Sequence, residues 1–560
     1  DGAADTKQEI QELEDSENTA FDIALTMIID AAEKNSSDSI LLSTYTDLGL
    51  TNLDAGNYFH ITNLLHSTNI FGSHVNSFDK IKALVDSFVL IQNAADGTVG
   101  NSVLATTADF QRIGVTLADG SSVLNLLNDV IDNSYPTELE TQQEIQALAD
   151  TVAKILATAK GDIHEFSALE LKALGLLGVD EKNLISVKAA IKQSPSDGSG
   201  VDSVSELQGL ITDIKNTAVS AIEAYNNSDG SNPALVPEIQ DYWDASVEGI
   251  DDEDDLVLAN AAVLIQEPAG ADSDIKIQEL ILAAKQALVI IQEAADSYTI
   301  QILQEHYADI GLAQVTNSNF QKINDLLKTA SISSAKLAGY AEVKAMVDSY
   351  LKIQTVADGQ QGNQLLPLRS DYQAIGVSVI NGEQSISLLS DIIDRLSADR
   401  VDTQGKIQSL ADSVAEIFAT VALSQGDVSN LTVASLSNLG LAGISEHNLV
   451  TVVAHIIATD NISQVDSYLE LQSLINQVAQ QAIAYIERYN NGQESAPELQ
   501  VYLDAGISIS VLDDLALVNA AIVNQSTGGA SSFALIDTVI SAASTAMARL
   551  QKAATDNSTV

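Results

Sequence analysis

The chain has 560 residues, 77 acidic against 26 basic side chains, a formal net charge of −51 and no cysteine. So acidic a surface repels nucleic acid and anionic membrane, because binding phosphates needs clustered Lys and Arg, and without thiols there is no disulfide framework or thiolate metal site. At 46% apolar residues the chain is no disordered acidic tail, and its length calls for more than one core.

In chain order, DGAADTKQEIQELEDSENTA reads as the start of a helix. The stretch QEIQELEDSENTAFDIALTMIIDAA resembles IKIQELILAAKQALVIIQEAA at 275–295, which makes residues 1–36 the C-terminal half of a module. Eight modules follow, at 37–98, 99–161, 162–229, 230–296, 297–360, 361–426, 427–492 and 493–560. Each is expected to hold a short helix, a middle helix of about ten residues and a long helix of about twenty. In KIQSLADSVAEIFATVA the apolar residues Ile407, Leu410, Val414, Ile417, Phe418 and Val421 fall on one helical face, and Asp402-Thr403 supplies the N-cap oxygen. Linkers such as ADGQQGN, YNNSDGSNP and YNNGQESAP end the modules, since their Gly, Asn and Pro continue a helix poorly. Alternation of the strand kind is nearly absent.

The modules recur as a block of about 260 residues. DFQRIGVTLADG at 109–120 matches DYQAIGVSVING at 371–382, and KIKALVDSFVLIQNAADG at 80–97 matches EVKAMVDSYLKIQTVADG at 342–359. EIQALADTVAKILATA at 144–159 matches KIQSLADSVAEIFATV at 406–421. Each short helix ends in apolar-x-x-apolar-Gly-apolar, with Gly49, Gly114, Gly175, Gly311, Gly376 and Gly440 as predicted helix caps, because Gly enters left-handed backbone without a Cβ clash. The fourth module of each block is degenerate here, with Ala245-Ser246-Val247 and Ala505-Gly506-Ile507. The predicted fold class is all-α: an elongated tandem array of about eight three-helix modules, arranged as a duplicated four-module block, beads in a row rather than one globule.

A group essential to the module should recur at the equivalent place. The histidines do not: His60, His66 and His74 correspond to Lys322, Lys328 and Lys336, His306 to Thr44, His447 to Lys182 and His455 to Ala190, as on a solvated face. No phosphate-cradling Gly-rich loop with Lys and no nucleophile elbow is present, so no catalytic or cofactor-binding residue is predicted. Calcium is the one cofactor weighed, at Asp251, Asp252, Asp254 and Asp255 and at the Asp197–Asp202 loop, because hard oxygen ligands suit it. Neither has the helix–loop–helix spacing, and the first is only partly kept in the other block, as Ser508 and Asp513-Asp514. Trp243, whose counterpart is Leu503, reads as a packing position, and Tyr225 and Tyr489 as seals at the end of a bundle. The longest apolar run, LVLANAAVLI at 256–265, is about half a membrane span. No leader opens the chain, so a piece of a longer or processed protein is expected.

The combination of DYQAIGV, a following Gly or Asn turn and VDTQGKIQSLADSVAEI resembles the tandem Ala/Asp-rich helical repeats of very large secreted surface adhesins of marine and other Gram-negative bacteria. The resemblance runs from about residue 37 onward and is clearest in the second and sixth modules. It implies export, association with the cell surface or a biofilm, and a stalk or extender role, and it carries over no functional residues.

The expected function is therefore a non-enzymatic, extracellular structural repeat region. Alternatives are a subunit of a surface layer or filament, and an array of modules that binds a host or matrix protein. The expected partners are neighbouring repeats, laterally packed copies or a surface protein, with no nucleic acid and no membrane insertion.

Overall fold

The computed structural model describes residues 7–34, 40–162, 164–379, 382–424, 427–459, 461–509 and 515–557. Among these the chain is all-α, with 25 helices and no β-strand; one isolated antiparallel bridge joins Asp358 and Ser397. The first helix is α1 (Lys7–Lys34). Short, middle and long helices then follow in turn. The first such triplets are α2 (Leu42–Asp47), α3 (Tyr58–Leu65) and α4 (Phe78–Ala94); α5 (Thr107–Arg112), α6 (Ser121–Asn133) and α7 (Gln142–Ala159); α8 (Ala168–Ala173), α9 (Leu184–Gln193) and α10 (Val204–Asn226). Next come α11 (Ile239–Asp244), α12 (Glu253–Leu264) and α13 (Asp274–Asp296); α14 (Gln304–Asp309), α15 (Phe320–Leu327) and α16 (Tyr340–Val356). The last are α17 (Arg369–Ala374), α18 (Glu383–Arg395) and α19 (Gln404–Val421); α20 (Val433–Asn438), α21 (Leu449–Ile457) and α22 (Tyr468–Asn490); α23 (Leu499–Asp504), α24 (Leu515–Val523) and α25 (Phe533–Asn557).

Most of the long helices start where a hydroxyl can take up an orphan N–H of the first turn, while α16 starts after Gly339, whose N–H donates to Glu342. Thr403 caps α19 by accepting from the Lys406 N–H at 3.3 Å, and Ser77, Thr141, Ser203 and Ser467 cap α4, α7, α10 and α22 in the same way. A single 3₁₀ turn, not foreseen from periodicity, leads into α4, α7, α16, α19 and α22.

The chain falls into two compact units, Asp1–Ile281 and Leu282–Val560. The division lies inside α13 and not at the expected module end at residue 296. The reason is that a long helix serves two neighbours. In the first unit α1 packs on α2 and α3, α4 on α5 and α6, α7 on α8 and α9, and α10 on α11 and α12. In the second, α16 packs on α17 and α18, α19 on α20 and α21, and α22 on α23 and α24. The same helices also cover the middle helix just before them, as α7 covers α6 and α19 covers α18. Within the first unit one hydrophobic core runs without a break from Ala24 to Ile211, and a second covers Ala218–Ile281. A short, a middle and a long helix cannot bury all their apolar faces alone, and sharing the long helix solves this.

Side-chain bridges between successive triplets reinforce the sharing. Asp129 on α6 accepts the Val204 N–H at the start of α10 at 2.5 Å, and Asp391 on α18 accepts the Tyr468 N–H of α22 at 2.7 Å. These carboxylates place negative charge at the positive end of a helix, where it is favoured. Arg395 pairs with Asp391 at 3.2 Å and lies over the Tyr468 ring at 4.6 Å.

The expected linkers are built loops. In ADGTVGN the N–H groups of Gly100 and Asn101 donate to Asp132 at 2.5 and 3.2 Å, and in ADGQQGN those of Gly362 and Asn363 donate to Asp394 at 2.7 and 3.3 Å. Both carboxylates are buried. The first Asn of each Tyr-Asn-Asn works from its side chain: Asn226 is buried and donates to the Val263 and Gln266 carbonyls, and Asn490 to those of Ile522 and Gln525.

α25 departs from the expectation that no segment could span a membrane. Phe533–Asp556 is long and apolar enough by length and composition, its apolar residues being interleaved with Ser, Thr and Arg so that no unbroken run is visible. Its Leu550 is 67% exposed, whereas Ile291, the matching residue of α13, is fully buried.

Replacing Asp394 with Ala leaves two buried N–H groups without acceptors and should cost about 3 kcal/mol of the second unit's stability in urea unfolding. A loss under about 0.5 kcal/mol would show that the loop is not held by that carboxylate.

Candidate functional site

The feature that recurs most faithfully is the corner at the end of each six-residue helix. At Gly376 the φ angle is 71°, the Gly376 N–H donates to the Gln373 carbonyl at 3.0 Å and the Val377 N–H reaches back to the Tyr372 carbonyl at 2.9 Å. This pair of bonds is the Schellman closure of a helix C-terminus. The six predicted cap glycines all have φ between 71° and 83°, and Gly506, at φ 81°, closes α23 by the same two bonds. The module judged degenerate keeps the geometry too. Ser246 stands at φ 64°, with its N–H on the Trp243 carbonyl at 3.0 Å and the Val247 N–H on the Tyr242 carbonyl at 2.9 Å.

The residue three before each C-cap anchors the short helix in the core. Tyr45, Phe110, Leu171, Tyr242, Tyr307, Tyr372, Leu436 and Tyr502 are all fully buried. A buried hydroxyl needs a partner, and the middle helix supplies it. Tyr45 meets the Thr62 hydroxyl at 3.1 Å, Tyr242 donates to Asn260 at 2.7 Å, Tyr307 to Asn324 at 2.9 Å and Tyr502 to Asn519 at 2.7 Å, while Tyr372 meets Ser390 at 2.9 Å. Burial pushes each of these phenols well above the ordinary tyrosine range. Where the anchor is Leu171 or Leu436, the position seventeen residues on is Lys188, whose ammonium turns out to Glu165 at 2.8 Å, or Val453. Beside Val453 lies an apolar groove of about 420 Å³, lined by Leu431, Leu449 and Ile457 among others.

Carboxylates lock the start of several short helices. Asp371 accepts the Leu368 N–H at 2.6 Å and the Lys352 ammonium at 2.7 Å, with the Ser349 hydroxyl at 3.2 Å. Burial raises its pKa, but these donors outweigh burial and hold it below the usual carboxylate range. Asp109 repeats the arrangement: burial pushes it up, while the Thr106 hydroxyl and N–H, Ser87 and Arg112 bring it lower. Glu170 takes the Ser167 N–H and the Lys154 ammonium, both from within its own unit.

A glutamine closes the corner from the other side. The amide of Gln408 on α19 takes the Ser378 N–H at 2.8 Å and donates to the Ser378 carbonyl at 3.0 Å. Gln146 grips Thr116, Gln208 grips Leu177, Gln278 grips Glu248 and Gln472 grips Ala442 in the same two-bonded way. In α4 and α16 the position is Lys82 or Lys344. There Asp86 accepts from Asn52 at 2.8 Å, and Asp348 from Gln314 at 2.9 Å. This clamp was not foreseen, although its trace, Ile/Leu-Gln-x-Leu, stands in EIQALADTVAKI and KIQSLADSVAEI.

The acidic run weighed for calcium opens a helix. Asp252 caps α12 by accepting from the Asp255 N–H at 3.0 Å, Asp255 accepts the Asp251 N–H at 3.1 Å, and Asp251 pairs with Lys182 at 2.6 Å; Asp254 lies in the first turn. Among the described residues no group of three or more His, Cys, Asp or Glu is placed to hold a metal ion. The counterpart Asp513-Asp514 lies outside the described residues. In the second loop Asp197 accepts from the N–H and hydroxyl of Ser199. Some of the histidines do more than face solvent: Nδ1 of His74 accepts the Phe71 N–H at 3.0 Å, Nδ1 of His306 the Leu303 N–H at 3.3 Å, and the His455 ring meets the Thr451 carbonyl at 2.9 Å and the Gln481 amide oxygen at 3.1 Å. Trp243 donates to the Ile250 carbonyl at 2.8 Å with the Lys182 ammonium 5.6 Å from its ring centre.

No known family, curated protein or solved structure matches this chain. The site must therefore be read from its own geometry, and that geometry spends the corner's recurring polar groups on bonds within the chain.

Gly175→Ala should cost about 1 kcal/mol, since open space surrounds the new Cβ and only the left-handed backbone resists. Gly376→Ala should cost about 2 kcal/mol or more, because its Cβ would also stand 2.4 Å from the Ser331 Oγ. Ser246→Gly should raise stability by about 0.5–1 kcal/mol by relieving the same strain. Equal losses at both glycines, in urea titrations, would contradict the packing difference. The lowered pKa of Asp371 stabilises the fold above the unfolded carboxylate pKa of about 3.9 and ceases to as pH falls through the folded value. The stability gap between the native chain and Asp371→Asn should thus be widest above the unfolded carboxylate pKa and close as pH falls through the lowered folded value.

Proposed function

We propose that the chain is an array of eight modules, built as a duplicated block of four, that serves as an extracellular stalk or extender with no catalytic role of its own. The observation that carries this reading is what persists from triplet to triplet. The anchor residue, the left-handed turn and, in five of the triplets, the glutamine clamp recur, and all three hold the chain to itself. A repeated ligand site would instead keep outward-facing polar groups, and here those are the ones that change. The net charge of −51 fits the same role, since mutual repulsion opposes collapse and lateral clumping. The resemblance to surface-adhesin repeats supplies the proposed setting, the cell surface or a biofilm matrix.

A lateral-assembly reading has one observation of its own. The tips of the two carboxylate-held loops expose apolar side chains, Val103 at 61% in one and Leu365 at 78% in the other, at equivalent places in the duplicated block. Small-angle scattering separates the two readings. A stalk gives a monomer whose radius of gyration is well above the roughly 24 Å of a compact chain of this length. A compact monomer would sink the stalk, and concentration-dependent growth lost with Val103→Ser and Leu365→Ser would favour assembly.

A further inference from the structure

The first half of α1 carries the clamp motif with no corner on it. Ile10-Gln11-Glu12-Leu13 has the same four residues as Ile277-Gln278-Glu279-Leu280 of α13. In α13 that stretch is covered: Ile277 is fully buried and Gln278 grips the Glu248 backbone. In α1 Ile10 is 48% and Leu13 54% exposed. Gln11 is nonetheless already oriented. Its amide donates to Asp15, one turn on, at 3.0 Å, just as the working clamps Gln146, Gln408 and Gln472 donate to Asp150, Asp412 and Asn476 at 2.8, 2.8 and 3.0 Å. The second amide proton and the carbonyl oxygen are the atoms that take the corner in those three helices.

We propose that the first half of α1 is a seat for a corner unit of this same repeat: a six-residue helix, its left-handed turn and the amphipathic middle helix that follows. Gln11 would grip the backbone two residues past the turn, and Ile10 and Leu13 would cover the middle helix. The identity of the occupant follows from continuity with an interface the chain already makes five times. In the clamped helices the corner offers the glutamine a backbone N–H and a backbone carbonyl, which carry no net charge.

The inference rests on the repeat reading above but fails separately from it. Its test grafts residues 227–273, the segment seated on Ile277-Gln278-Glu279-Leu280, directly ahead of Lys7 in the full chain, which keeps the spacing of α13. Hydrogen exchange at the amides of residues 10–16 should slow by about tenfold or more. Gln11→Ala should reverse part of that slowing in the grafted chain and leave exchange unchanged in the native one. The seat is overturned if exchange at 10–16 is unaltered and the graft is cut by protease as fast as an unfolded tail. It is equally overturned if the native chain dimerises and Ile10→Glu with Leu13→Glu abolishes the dimer, since a second α1 would then be the cover. A compact scattering profile together with a protected graft would keep the seat and remove only the stalk.

Discussion

A helix of six residues does not hold itself together in water, since nucleating it fixes several residues for one or two bonds. Each triplet of this chain nevertheless depends on such a helix to turn the backbone from one long helix to the next middle one. The short helix is held from outside at four points. In most triplets a side chain at its start takes up an early N–H, in all an anchor is buried at its centre and a left-handed residue closes its end, and in most a glutamine grips the stretch of backbone beyond. The anchor lies in a core to which the preceding long helix and the middle helix both contribute. The short helix therefore forms only when its neighbours do, and this coupling is what makes the core continuous from Ala24 to Ile211.

The buried polar groups change in matched sets. A tyrosine anchor comes with Thr62, Asn260, Asn324, Ser390 or Asn519 on the middle helix, and a leucine anchor comes with Lys188 turned outward or with Val453. Losing one member alone would leave a buried group unpaired, whereas losing both is nearly neutral. The capping carboxylates behave alike. Lys154 meets Glu170 in the first unit at 2.6 Å, and in the second unit Glu416, 262 residues after Lys154, meets the Ser435 hydroxyl at 2.5 Å. The contact survives while its chemistry is exchanged, which is how a structural joint drifts and how a reactive site does not.

The ends of the long helices show what the sharing requires. A long helix presents one stretch to the middle helix before it and another to the short helix after it. In α1 only the second stretch is buried, at Ala24, Ile28, Ala31 and Ala32, and in α25 the buried residues lie at the first turns, at Ile536 and Ile540. The apolar character that makes α25 long enough to cross a bilayer is the same character that α13 uses inside the protein, with Ile291 where α25 has Leu550.

The helix class, the order short-middle-long, the caps at Thr403 and its equivalents and the left-handed turn at the six glycines were all legible in the sequence. Each rests on local physics: a 3.6-residue period, a hydroxyl before a helix, a residue without a Cβ. Three things were not. Ser246 hides the turn because its side chain tolerates a backbone that the sequence does not advertise. Asp132 and Asp394 look like two among many acids until the loop 32 residues earlier folds onto them. The glutamine clamp joins residues 30 apart, and its motif is visible as a pattern but silent about its partner. The sequence alone determined where helices begin, end and turn. Only the tertiary structure decided that the long helices are shared and that, from Ala24 to Ile211, successive triplets draw on one core, because which face of a helix meets which neighbour depends on packing between segments distant in the chain.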